Sequence, residues 1–183
     1  MTPPALLNSL KTTLQKSKVE KLALIAAEQD FSTKELIDLT FHQEEKIAFR
    51  AAWVLENVFS LDQERFLPYA TYFLAKLPDQ NNLSARRHYS KILALMTKKN
   101  APVALKEIVV NYDTEILVNT VFGWLIDEKV PVAVKSHGLN ILANLNTKHN
   151  WIKEELLQTM DFLVDKESIA FFGKVKKIRK QLM

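Results

Sequence analysis

The sequence predicts an all-α chain of about eleven helices, built from stacked helix pairs. Two observations carry this. Only three glycines (Gly123, Gly138, Gly173) and six prolines occur in 183 residues, whereas sheets joined by tight turns usually need more glycine. A second, stronger observation is a recurring apolar block: Trp53-Val-Leu-Glu-Asn-Val58, Lys91-Ile-Leu-Ala-Leu-Met96 and Asn140-Ile-Leu-Ala-Asn-Leu145. Arg50, His88 and His137 each stand three residues before a block, and the shared leucines (Leu55, Leu93, Leu142) are 38 and then 49 residues apart. Periods of this size mark helix-pair repeats, because one pair cannot bury its own apolar face. At 48% apolar and 25% charged residues the composition is that of an ordinary globular chain. The expectation is a single helical-repeat domain over 1–183, ending in a basic capping helix over 168–183.

The elements follow in order. Thr2 before Pro3-Pro4 reads as an N-cap with proline in first helical position, and Leu6, Leu7, Leu10 and Leu14 keep helical spacing. A second helix from Lys18 places Val19, Leu22, Ile25 and Ala26 on one face. Ser32-Thr-Lys-Glu35 matches a capping box and opens a short helix with Leu36, Ile37 and Leu39. The first matched helix, 44–59, has an inward stripe of Ile47, Ala51, Val54, Leu55 and Val58. Asp62 caps its partner, lined by Phe66, Ala70, Phe73, Leu74 and Leu77, with Pro68 near its first turns and Pro78 at its end.

The second matched helix, 82–99, has Leu83, Tyr89, Ile92, Leu93 and Met96 as its stripe. After Pro102 a helix of about eleven residues reaches Tyr112. A strand at Ile108-Val109-Val110 would have no partner, so this stretch reads as helical. It accounts for the longer second spacing as an inserted helix. Asp113 then caps a helix containing Leu117, Val121, Trp124 and Leu125, apolar nearly all round. Pro131 opens the third matched helix, a partner helix runs over about 151–164, and Ser168 begins the last, with Phe171, Val175, Ile178 and Leu182 inward. Gly123 and Gly138 fall inside helices, where each costs about 1 kcal/mol against alanine. Close helix packing is the compensation expected at both.

Several chemistries are excluded or unsupported. With no cysteine, disulfides, thiolate nucleophiles and Cys-ligated metal sites are impossible. His42, His88, His137 and His149 form no local cluster, and no His-Glu-x-x-His is present. Isolated glycines cannot build a phosphate-cradling loop, and no Gly-x-Ser-x-Gly occurs. A non-enzymatic protein without cofactor or metal is therefore expected. The N-terminal residues lack the basic and apolar regions of a signal peptide, and no stretch approaches the ~18 apolar residues of a membrane span. A cytoplasmic location is the corresponding expectation.

The repeated blocks resemble HEAT/armadillo-type repeats. Phe49-Arg-Ala-Ala-Trp-Val-Leu-Glu-Asn-Val58 is the best match, similar to the basic, small, leucine order of a HEAT first helix. His88 and His137 replace the arginine in the other two copies. The resemblance covers about residues 18–167. It implies a right-handed α-α superhelix, a solenoid whose second helices (here about 63–77, 114–128 and 150–164) line a concave binding face. It says little of function, since such repeats serve many roles.

The candidate binding residues fall in three groups. Tyr72 lies off the Phe66/Phe73/Leu77 stripe, on the side the resemblance makes concave, with Tyr69 and Lys76 near it as a possible peptide or base anchor. Arg86 and Arg87 lie off the stripe of the second matched helix. Lys174, Lys176, Lys177, Arg179 and Lys180 put five cations in seven residues, without which the net charge of +4 becomes −1. That helix is open to two readings: contact with an anionic partner, or a terminal cap whose lysines stay in water. The leading expectation is a scaffold that binds another protein. The alternative is a nucleic-acid-binding repeat protein resembling the DNA-alkylation-repeat proteins. A near-neutral body without a general basic groove counts against the alternative.

Overall fold

A computed structural model describes residues 3–12, 15–28 and 32–183. The expected cap at Thr2, the inward Leu14 and the Ala26 side chain lie outside the described residues. Among those described the chain is all helical: α1 (Pro3–Lys11), α2 (Lys16–Glu28), α3 (Thr33–Leu39), α4 (Glu45–Leu61), α5 (Gln63–Phe66), α6 (Ala70–Lys76), α7 (Leu83–Met96), α8 (Val103–Asn111), α9 (Glu115–Ile126), α10 (Val132–Leu145), α11 (Ile152–Val164) and α12 (Ile169–Leu182). A 3-10 turn, Leu67–Tyr69, joins α5 to α6, and another, Leu77–Asp79, ends α6. Each turn contains a proline, which has no N–H to give the α-helical ladder. Taken as one interrupted helix, this stretch brings the described helices to eleven, as the periodicity predicts. The β-branched run at Ile108-Val109-Val110 is part of α8.

The local signals have visible causes. Ser32 Oγ accepts from the Glu35 amide at 3.3 Å, and Asp62 Oδ1 from the Arg65 amide at 3.0 Å, so both expected caps close a first turn. The start of α9 differs by one residue from expectation. Thr114 is the N-cap residue, and Asp113 Oδ1 accepts instead from the Glu115 amide at 3.1 Å. The stripe of α7 also shifts: Leu83 is largely exposed at the first turn, and Ala85 takes the inward place, followed by His88/Tyr89, Ile92, Leu93 and Met96.

The chain divides into two compact units, Met1–Ile92 and Leu93–Met183. In the first, α4 is central and α1, α2, α3 and α5 pack on it. Its buried side chains occupy more than one face, with Ala48, Ala51 and Ala52 small enough to admit neighbours closely. A run of aromatic rings forms the rest of this core: Phe59–Phe66 at 5.0 Å, Phe66–Phe73 at 5.4 Å, Phe73–Tyr89 at 4.7 Å and Tyr89–Phe41 at 6.1 Å. The Thr40 hydroxyl spends its proton on the Ile37 carbonyl, so the buried Tyr89 hydroxyl donates to Thr40 Oγ1 at 2.6 Å. Burial pushes the Tyr89 phenol well above its ordinary pKa. Arg50 donates through Nη1 to the carbonyls of Leu10 and Lys11, at 2.8 and 2.9 Å, and so closes the C-terminus of α1.

In the second unit α10 is central, with α9, α11 and α12 against it. Gly138 lets α9 approach: a Cβ there would lie 3.2 Å from Leu125 Cδ2 and from Val121 Cγ1. Gly123 does not share this role, contrary to expectation, because nothing lies within 4 Å of where its Cβ would be. It sits on the exposed side of α9, facing away from α10. Lys148 caps α8 as Arg50 caps α1, donating to the carbonyls of Val109 (3.1 Å), Val110 (2.8 Å) and Tyr112. Burial lowers the pKa of this ammonium, against the raising effect of Asp113.

Candidate functional site

The three matched basic positions have different surroundings. Arg50 holds α1, and His137 is half-buried on α10. His88 is buried, with Nδ1 2.6 Å from Glu56 Oε2 and its ring 5.5 Å from Phe49 and 6.5 Å from Trp53. The other Glu56 oxygen accepts from Lys91, while His88 Nε2 is buried without a hydrogen-bond partner. Among the described residues no three His, Asp or Glu side chains group closely enough to hold a metal.

Burial acts to raise the Glu56 pKa, but the hydrogen bonds from His88 and Lys91 outweigh it, and the carboxyl is held below its usual range. A carboxyl lowered in this way stabilises the fold above its unfolded pKa and stops doing so as acid protonates it in the native state. Glu56→Gln is expected to destabilise the protein at about pH 7, with the gap to wild type narrowing towards about pH 3. Urea titrations at the two pH values measure this, and an equal loss at both would contradict it.

Half of the ten candidate residues from the sequence are engaged within the molecule: Tyr72, Lys76, Arg86, Lys174 and Arg179. Tyr72 donates to Asp38 Oδ1, whose other oxygen takes Lys34 Nζ at 3.0 Å. The Lys34 and Lys76 ammoniums lie 4.7 and 5.8 Å from the Tyr72 ring centre. The bond to Asp38, then burial, raises the phenol pKa. Tyr69 is half-buried beside a separate cavity of about 500 Å³ lined also by Ser32, Asp62 and Arg65. Arg86 donates to the Gln80 carbonyl (2.6 Å) and to Asn81 Oδ1 (3.2 Å), fixing the loop before α7, while Arg87 is exposed.

On α12 the apolar stripe Phe171, Val175, Ile178 and Leu182 is buried, and the helix packs on α10 and α11. Lys174 is half-buried and donates to the Asn140 side chain; burial, then Lys177, lowers its pKa. Arg179 pairs with Asp161. Lys176, Lys177 and Lys180 are left exposed.

Apolar side chains are left in water on α9 and at α11, two of the helices that the resemblance expects on a binding face. Ile116, Ile126 and Phe162 are 62%, 56% and 51% exposed, and Trp151 is 44% exposed. Phe122 of α9 stacks on Trp151 at 5.6 Å, and Ile126 and Phe162 line one cavity of about 610 Å³. At its inner wall Lys135, only 2% exposed, places Nζ 2.6 Å from Glu167 Oε1. The signal was the apolar circumference of α9: a helix covered only on some sides must leave part of such a surface in water.

A family model described as a HEAT repeat domain matches residues 6–182. The chain belongs to the HEAT repeat family. Comparison with curated proteins and with solved structures gives no match. The recurring block lies on α4, α7 and α10. HEAT repeat domains are typically non-catalytic helical scaffolds. Among the described residues no helix is long and apolar enough to cross a membrane.

Proposed function

We propose that this HEAT repeat chain is a non-enzymatic scaffold that binds another protein through the second-helix face of α9 and α11. One observation carries the reading: four large apolar side chains, Ile116, Ile126, Trp151 and Phe162, are left in water on two adjacent second helices. Apolar groups scattered singly need no explanation, but connected ones mark interaction surfaces. Here Ile126 and Phe162 share one cavity, and Trp151 stacks on Phe122 of α9. On α9 the exposed stripe runs Ile116, Asn119, Gly123, Ile126. With no side chain at Gly123, the stripe dips between its two isoleucines, a shape suited to receiving a projecting group. Aromatic anchors such as Trp151 supply much of the energy of interfaces of this kind.

The test is affinity capture from the native host with the tagged full chain, a Trp151→Ala/Phe162→Ser variant and a Lys46→Ala control. A defined protein retained by wild type and control and lost by the face variant is expected, with circular dichroism showing all three folded. A partner retained equally by all three sinks the reading. So does retention of nucleic acid in its place that falls steeply with salt.

A further inference from the structure

Resting on that scaffold reading, we propose the chemistry of what docks at the cavity where the C-terminal ends of α9 and α11 meet the start of α10: a peptide segment of the partner in which a large apolar side chain is followed by a carboxylate. The cavity measures about 610 Å³, within the range of sites that enclose a ligand group. One part of its rim is apolar, formed by the exposed Ile126, Val132 and Phe162 with Val130 and Leu163 buried behind it, and the rest is charged. Such a wall favours an apolar side chain, which by burial there removes its own surface and that of the rim from water.

The charges decide what stands next to that side chain. Three ammoniums line the cavity (Lys129, Lys135, Lys166) against two carboxylates (Glu128, Glu167). Lys135 and Glu167 satisfy each other at 2.6 Å. Glu128 is largely exposed and reaches Lys166 only at 3.9 Å, a weak surface pair. Lys129 pairs with no carboxylate among the described residues. Its backbone is held, because the Lys129 amide donates to Asp127 Oδ1 at 2.9 Å and the next amide to the Asp127 carbonyl at 3.1 Å. Lys166 holds its ammonium 3.9 Å from the centre of the Phe162 ring, so a cation stands directly beside the apolar rim. An apolar side chain against Phe162 therefore brings the following residue to Lys166, whose ion pair with Glu128 is weak, in a lining that carries one more ammonium than it has carboxylates. A carboxylate there gains a charge-assisted bond, and a basic residue is repelled.

Fluorescence anisotropy tests this on the full chain with three fluorescein-labelled decapeptide pools, identical except for a central Leu-Asp, Leu-Asn or Ser-Asp. The Leu-Asp pool is expected to bind about tenfold tighter than either other, a difference of about 1.4 kcal/mol. Lys129→Glu should erase the preference for aspartate, Phe162→Ser the preference for leucine, and Lys46→Glu neither. Carbodiimide coupling of the bound peptide should map to Lys129 or Lys166. Equal binding of the three pools overturns the proposal, as does a preference that survives both variants. It also falls if the face instead takes an oligothymidylate probe, or a second copy of the chain in a dimer abolished by Phe162→Ser. Loss of the captured partner from the Trp151/Phe162 variant alongside equal pool binding removes this inference alone and leaves the scaffold reading standing.

Discussion

Phe73→Ala is expected to destabilise the protein by about 3–5 kcal/mol. Phe73 has no exposed surface and sits between two rings, Phe66 at 5.4 Å and Tyr89 at 4.7 Å. Truncation forfeits the transfer energy of a buried ring and opens a space that its neighbours fill only in part. The Tyr89 ring loses the face it stacks on, while its hydroxyl is still bound to Thr40, so it cannot swing into the gap without leaving a buried donor unpaired. Phe73→Leu retains most of the volume and should cost markedly less. Urea unfolding of the two variants measures both values. A loss below about 1 kcal/mol for the alanine variant would show that the aromatic run is not the core of its unit.

The helices were legible because the signals that form them are local. Apolar positions recurring at three and four residues, with Ser32, Asp62 and Pro131 at the starts, place most elements within a residue or two of where they lie. Arg50 and His88 are structural for the same reason: the repeat puts a basic side chain where the first helix of a pair faces a neighbour. What escaped depends on what stands opposite. Gly123 and Gly138 are alike in sequence, both inside helices, yet only Gly138 has Val121 and Leu125 pressed against it. Leu83 fits the stripe by spacing but lies at the first turn, where its side chain is only partly covered. Which residues of α9 face water was hidden by the same limit, since an apolar residue on an all-apolar helix does not disclose which side is covered. Lys135 offered no signal because its partner Glu167 lies 32 residues away, outside any helical spacing.

Glu167→Ala is expected to cost about 3–5 kcal/mol, more than the loss of an exposed ion pair, whose worth is about 0–1 kcal/mol. The difference lies in Lys135. Its side chain is 2% exposed on the first turn of α10, and Glu167 comes to it from the turn between α11 and α12. Without the carboxylate, the ammonium is left in a desolvated place with no partner charge. If burial is the cause, removing both charges should reverse the effect. Lys135→Met with Glu167→Leu keeps long side chains in the same space and has no ion to desolvate, so it should recover to within about 1 kcal/mol of wild type or exceed it. Urea titrations of wild type, both single variants and the double variant give the coupling directly. A cheap Glu167→Ala would mean that Lys135 reaches water on its own. The turn before α12 would then be held to α10 by the apolar stripe of Phe171, Val175, Ile178 and Leu182 and by the hydrogen bonds of Lys174 to Asn140 and of Gln181 to Asn144.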